Sequence, residues 1–243
     1  TAFFLYAAYT ESLFLALTLG AFWCVRRGHV PGAILLAVCA GLTKVQGAIL
    51  GVPLAVEYLI VAGWSLTRPL SGLDRGRVAT AGSLLLSGAA GTLAYFGYLA
   101  YGLHDPVSWF DRESLQWQQR VSWPGETLIV AIQKLLGERQ LSINMFDLVV
   151  LLLFTALAVA AFRFRASYGL QAATILVSTW FHLRPDFPLV SVSRYVLVAF
   201  PCFMILAHWA ARRPRVVHLG IVTLWVSWLL VWTLQSIRGY WVG

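Results

Sequence analysis

Apolar residues run through this chain in blocks long enough to cross a membrane, and the polar residues fall mostly between them. A helix crossing a hydrocarbon core of roughly 30 Å needs about 20 residues. Residues 2–25 reach that length with Glu11 as their one charge, and residues 78–101 reach it with none. Residues 148–162, 167–181 and 195–211 read as shorter spans, and residues 216–237 as a further one rich in Trp and Leu.

The stretch 30–63 is apolar but too long for one crossing, since a single helix through it would extend about 50 Å at 1.5 Å per residue. Thr43-Lys44-Val45-Gln46-Gly47 interrupts it near the middle. The pattern predicts two half-length helices meeting at this polar break. Non-helical backbone at membrane depth is tolerated only where protein buries it or water reaches it.

The loops supply an orientation. Four are short and basic: Arg26 and Arg27; Arg68, Arg75 and Arg77; Arg163 and Arg165; Arg212, Arg213 and Arg215. They hold ten of the 18 lysines and arginines. Basic loops stay in the cytoplasm, and an even number of crossings between successive loops is met by two half-helices in 30–63. The opposite, extracytoplasmic side then receives the Lys44 break, the long segment 102–140 and the segment 182–194. The expected fold is all-α: a single transmembrane domain over 1–243, polytopic, with about eight membrane segments. Within 102–140, Leu115, Trp117 and Val121 suggest a short amphipathic helix lying at the interface.

Composition agrees with this reading. Hydrophobic residues make up 59% of the 243, charged residues 12%, and the mean hydropathy is +0.75. An average soluble domain has roughly 25% charged residues, so an ordinary cytosolic enzyme, a disordered chain and a disulfide scaffold are excluded. The net charge of +8 belongs to the cytoplasmic loops, so nucleic acid is not an expected partner and the lipid bilayer is. Cys24, Cys39 and Cys202 lie within apolar runs and form no CxxC pair, which argues against a Cys-based metal site. Thr1 is not a Met and the chain opens inside an apolar run, so the sequence reads as lacking its N-terminal part.

Candidate chemistry gathers on the outer side, where polar groups stand without an evident solvation reason. Glu11 either meets a substrate hydroxyl or pairs with Lys44, Arg184 or Arg194. Lys44 either binds a phosphate as a point charge or snorkels to the surface. Gln46 accompanies it at the break. Segment 102–140 carries His104, Asp105, Trp109, Asp111, Glu113, Trp117, Arg120 and Trp123, suited to an interfacial anchor or to the roof of a sugar cavity. His182, Arg184, Asp186, Ser193, Arg194 and Tyr195 cluster between two spans, and the forks of Arg184 and Arg194 match phosphate oxygens. No HExxH or paired-His pattern assigns a metal; a divalent ion carried on a substrate phosphate stays open.

These residues also resemble a family. Tyr9-Thr10-Glu11-Ser12-Leu13-Phe14, the basic turn Arg26-Arg27-Gly28, Gly41-Leu42-Thr43-Lys44-Val45-Gln46-Gly47 and Pro53 through Glu57-Tyr58 resemble the PIG-V-like mannosyltransferases. Tyr101 to Trp109 with Asp105-Pro106, then Trp117 and Arg120, is similar to the next block, and Ser193-Arg194-Tyr195 with Phe200-Pro201 to the late motif. Lys44 stands where the family more often has Arg. The resemblance implies the GT-C glycosyltransferase fold. It implies transfer of mannose, with inversion, from a polyprenyl- or dolichyl-phosphate donor to a lipid-linked or protein acceptor. Such enzymes work on the outer or lumenal face, in the bacterial plasma membrane or, in eukaryotes, in the endoplasmic reticulum membrane during GPI-anchor synthesis.

On this resemblance Lys44, Arg184 and Arg194 are expected at the donor phosphate. Glu11, Gln46, Asp105, Trp117, Arg120 and Tyr195 are expected at the sugar or acceptor. The family's catalytic Asp, a general base, is expected upstream of Thr1, so the chain alone is expected to be inactive. Two other readings fit the pattern: a transporter or flippase of a lipid-linked or anionic substrate, since broken helices mark transport sites, and a non-catalytic membrane subunit.

Overall fold

The computed structural model describes residues 9–65, 73–105, 107, 115, 120–137, 142–184, 188–189 and 191–238. They form α1 (Glu11–Arg26), α2 (Val30–Thr43), a 3₁₀ turn (Val45–Ile49), α3 (Gly51–Val61) and α4 (Arg75–Gly97), which runs on into a π turn (Tyr98–Gly102). After β1 (Arg120–Val121) come α5 (Pro124–Gly137), α6 (Ser142–Phe164) and α7 (Ala166–Trp180). Then follow β2 (His182–Leu183), α8 (Val192–Tyr195), a short 3₁₀ turn, α9 (Phe200–Ala210) and α10 (Arg215–Ile237). Apart from a two-residue antiparallel ladder, in which Arg120 faces Leu183 and Val121 faces His182, the described elements are helical.

Among the described residues, three helices are long and apolar enough to cross a membrane: α4 with its π turn, Met145–Phe164 of α6, and α10. The stretches Val192–Val198 and Phe200–Ala210 make a fourth only if counted together, because they are bent by 81° at their junction. The sequence reading of about eight segments is therefore coarser in the structure. The difference is one of length, since α1 and α7 have 16 and 15 residues against the roughly 20 a full crossing takes. The outer surface suits lipid. α10 buries none of its residues, and Leu86, Leu93, Leu219 and Leu224 are all more than three-fifths exposed. An apolar surface of this extent would not be stable in water.

The stretch 30–63 is broken where the polar residues fall. Lys44 is extended (φ −155°, ψ 139°) between α2 and the 3₁₀ turn, and the chain reverses there. The resulting hairpin packs on α1 and α4. Its arms of 14 and 11 residues are about 21 and 17 Å long.

Glycines seat this hairpin on α4. A Cβ on Gly41 would lie 2.1 Å from the Gly88 carbonyl oxygen, one on Gly88 2.1 Å from that of Gly47, and one on Gly51 2.0 Å from that of Leu85. Small residues let helix backbones approach closely in membranes, where no hydrophobic drive brings helices together. Thr92 Oγ1 adds a hydrogen bond across the same contact, donating to the Gly41 carbonyl at 3.0 Å.

The described residues of the four basic loops lie at one end of the bundle. Arg26, after which α1 ends, and Arg165, before α7, both reach Glu57 of α3. Arg77 donates to the Ala62 carbonyl, one and a half turns beyond Glu57. Phe164 packs edge-on against His208, just before the Arg212–Arg215 loop. Glu11, at the other end of α1, marks the opposite end.

Three expectations change in detail. Residues 2–8 of the expected first span lie outside the described residues; residues 9–10 are bent and α1 begins at Glu11, the acidic residue of its first turn. A carboxylate there meets the positive end of the helix dipole. Of the interfacial helix expected around Leu115, Trp117 and Val121, residues 116–119 lie outside the described residues, while Val121 lies in β1 and the amphipathic helix α5 follows it. The span expected from residue 148 begins earlier, at Ser142, and so takes in Asp147.

Candidate functional site

Glu11 is the centre of a cluster at the end of the bundle opposite the basic loops. Its side chain is fully buried, and its Oε1 accepts from Lys44 Nζ at 2.7 Å and from Arg194 Nε at 2.6 Å. Three separated pieces of chain supply these groups: the first turn of α1, the apex of the α2–α3 hairpin, and the short helix α8. The hairpin puts Lys44 there because extended backbone at Lys44 ends α2 at the height where α1 starts. The expected pairing of Glu11 with Lys44 and Arg194 is realised. Arg184, which follows β2, is not among Glu11's ion partners.

Aromatic rings lie against both cations. The Arg194 guanidinium carbon lies 4.3 Å from the Tyr9 ring centre and 5.9 Å from that of Tyr195, and Lys44 Nζ lies 5.0 Å from the Tyr195 ring centre. Cations over ring faces are stabilised by the ring quadrupole. Lys44 and Arg194 side chains are 10% and 18% exposed, so the cluster is nearly closed without being sealed.

The charges of this cluster do not cancel. Among the described residues, one carboxylate meets two cations, which leaves a surplus of one positive charge. Both cations engage Oε1, and the buried Oε2 has no hydrogen-bond partner among the described residues. A buried carboxylate oxygen without a donor carries a desolvation cost that a ligand hydroxyl would relieve.

Asp147 was not singled out from the sequence. It is 4% exposed, and its Oδ1 accepts from the Ser193 backbone N–H at 3.3 Å. That bond fixes the first turn of α8 beside Arg194. α8 has only four residues, and Ser191, just before it, adopts a left-handed conformation (φ 67°). So short an element depends on such an anchor.

Other expected residues lie elsewhere. Gln46 is half-buried in the 3₁₀ turn. Asp105 is exposed and its N–H donates to the Leu99 carbonyl, closing the π turn. Arg120 pairs with Glu126 of α5 and is mostly exposed. Trp109, Asp111, Glu113, Trp117 and Asp186 lie outside the described residues. No group of three or more His, Cys, Asp or Glu is placed to hold a metal among the described residues. A shallow pocket beside α10, lined by Val231, Leu234, Gln235 and Arg238, touches no residue of the cluster.

A second buried carboxylate stands at the basic end. Glu57 is fully buried, with Oε1 accepting from Arg26 Nε at 2.6 Å. Its Oε2 accepts from Arg165 Nε at 2.6 Å and from Ser167 Oγ at 2.5 Å. The sequence showed Glu57 inside an apolar run with arginines in two loops, but nothing in it paired them.

Compared with protein-family models, with curated proteins and with solved structures, the chain matches none of them.

Proposed function

We propose that this protein is a membrane glycosyltransferase of the mannosyltransferase type that uses a polyprenyl- or dolichyl-phosphate sugar. The observation that carries the reading is the Glu11 cluster: among the described residues, two cations lying against aromatic rings share one carboxylate oxygen, leave a surplus of one positive charge, and leave a second oxygen without a donor. The order of motifs along the chain supports the same reading.

The charge arithmetic suits such a donor. A lipid-phosphate sugar is a phosphodiester with one negative charge, which matches the surplus of the cluster. In transfer, an acceptor hydroxyl oxygen bonds to the anomeric carbon from the face opposite the phosphate. The bond from that carbon to the phosphate oxygen breaks, its electron pair stays on the phosphate, and the hydroxyl proton passes to a base. The leaving lipid phosphate gains a second negative charge. Lys44 and Arg194, already oriented by Glu11, stabilise that charge as it develops. Glu11 Oε2 accepts a hydrogen bond from a sugar or acceptor hydroxyl. Asp147 is a positioning residue, acting through α8.

A transporter or flippase of an anionic lipid is the second reading, and the broken α2–α3 hairpin is the feature in its favour. Against it, both charged clusters lie at the ends of α1, and residues 12–25 of that helix carry no charge. Transport sites lie near midplane.

The test is transfer of labelled mannose from polyprenyl-phosphate mannose to lipid and peptide acceptors by membranes holding the full-length protein. Label in an acceptor, lost on Arg194→Gln, supports the transferase. Scrambling of the donor across the bilayer with no transfer supports the flippase.

A further inference from the structure

We infer that the basic end of the bundle carries a second anion site, in which Arg26 and Arg165, aligned by Glu57, take a phosphate group. This inference stands apart from the proposed transferase site, at the other end of α1. Glu11 and Arg26 are fifteen residues apart on that helix, about 22 Å. The two clusters therefore stand near opposite faces of a hydrocarbon core.

The argument starts from the use of each nitrogen. Glu57 holds both arginines through Nε alone. Arg26 Nη2 donates to the Tyr168 hydroxyl at 2.6 Å, and the Arg26 guanidinium carbon lies 5.1 Å from the Tyr168 ring centre. Arg26 Nη1 and both Nη groups of Arg165 have no hydrogen-bond partner among the described residues. A guanidinium has five N–H donors in a rigid fork, so several donors are left over on two planes already locked by one buried carboxylate.

Exposure gives the direction. Glu57 is fully buried, whereas Arg26 and Arg165 side chains are 42% and 29% exposed. Their roots are in the bundle and part of each reaches its surface.

Charge gives the ligand. One arginine would neutralise Glu57; the second leaves +1. Asp74, before α4, is the other carboxylate at this end among the described residues, and it is exposed. Arg27 and Arg163 add further positive charge nearby. Paired, pre-aligned guanidinium forks at the height of lipid headgroups are suited to a phosphate oxygen pair. The phosphate comes either from an anionic phospholipid or from a soluble phosphate.

The experiment is thermal unfolding of the full-length protein in dodecyl maltoside, followed by tryptophan fluorescence. It is titrated separately with dioleoyl phosphatidic acid, dioleoyl phosphatidylcholine and inorganic phosphate. A ligand that binds only the folded state raises the midpoint saturably. A saturable rise with phosphatidic acid and none with phosphatidylcholine is expected; a matching rise with inorganic phosphate assigns the soluble source.

Arg165→Lys and, separately, Arg26→Lys keep the charge but lose the fork. Each is expected to need at least about ten times more ligand. Glu57→Gln adds net positive charge yet is expected to weaken binding, because it frees the forks. Arg194→Gln, at the other cluster, is expected to leave the response in place, which separates this site from the transferase site. No saturable rise with either phosphate, or an unchanged response in both lysine variants, overturns the inference, as does loss of the response in Arg194→Gln alone.

Discussion

Arg194 Nε lies 2.6 Å from Glu11 Oε1, across 183 residues of chain. This bond ties the first helix to the short helix after β2, and Lys44 joins both from the hairpin apex. The three residues have unequal weight. Removing either cation leaves a balanced pair, whereas removing the carboxylate leaves two buried cations together.

Glu11→Ala is therefore expected to destabilise the protein more than Arg194→Ala or Lys44→Ala. Stranding buried charge costs about 3–5 kcal/mol, and the single-cation losses are expected to be smaller. Unfolding in graded sodium dodecyl sulfate measures all three. Equal losses would mean that the net charge of the cluster is not what the fold responds to. Lys44→Arg keeps the charge and is expected to retain most activity.

The hairpin seat gives a steric prediction. Gly41→Ala, Gly88→Ala and Gly51→Ala each drive a Cβ to within about 2 Å of a backbone carbonyl oxygen, which only a backbone shift can relieve. Overpacking of this kind costs about 1–3 kcal/mol. Gly82→Ala meets nothing within 4 Å and is expected to be neutral or mildly stabilising. A seat that tolerates alanine at all three positions would show that α4 does not hold the hairpin this closely.

Much of this arrangement was legible in the sequence, and the limits were physical. The apolar blocks marked α4, α6 and α10 because a membrane helix is apolar over its whole length. The polar break at Lys44 showed because a Lys-Val-Gln-Gly run cannot continue an apolar helix. Glu11, Lys44 and Arg194 could be paired because the loop charges put them at one level. Glu57 and Asp147 escaped: a single acidic residue in an apolar run does not disclose which distant cation or N–H it meets. Arg165 was read as loop charge, and only the tertiary fold turns it onto Glu57. The 81° bend between α8 and α9 has no sequence signal beyond Pro201, in the first turn of α9.

Sidedness follows from the same contacts. In a background lacking Cys24, Cys39 and Cys202, cysteines at Arg27, Arg163 and Arg213 are expected to react with an impermeant maleimide from one side only. Cysteines at His104 and Trp123 are expected to react from the other. Labelling of Arg213→Cys and Trp123→Cys from the same side would break the assignment of the basic loops to one end.

Asp147 gives a prediction about positioning. Asp147→Ala removes the acceptor for the Ser193 N–H and is expected to loosen α8. On the proposed function the donor KM should rise and kcat should fall, each by up to about tenfold, and Asp147→Asn, which keeps a carbonyl acceptor, should recover most of the loss. A fall in kcat alone, with KM unchanged, would place Asp147 in the chemistry instead.

The most direct test of the central claim is mannose transfer by the full-length protein in membranes, comparing wild type with Glu11→Gln at matched folded yield. The proposed function predicts transfer from polyprenyl-phosphate mannose in the wild type and a loss of at least about a hundredfold in Glu11→Gln, a cost of roughly 2.7 kcal/mol in transition-state stabilisation. Wild-type rates in a folded Glu11→Gln variant would contradict the account, because a catalytic cluster built on that carboxylate cannot survive its neutralisation unchanged.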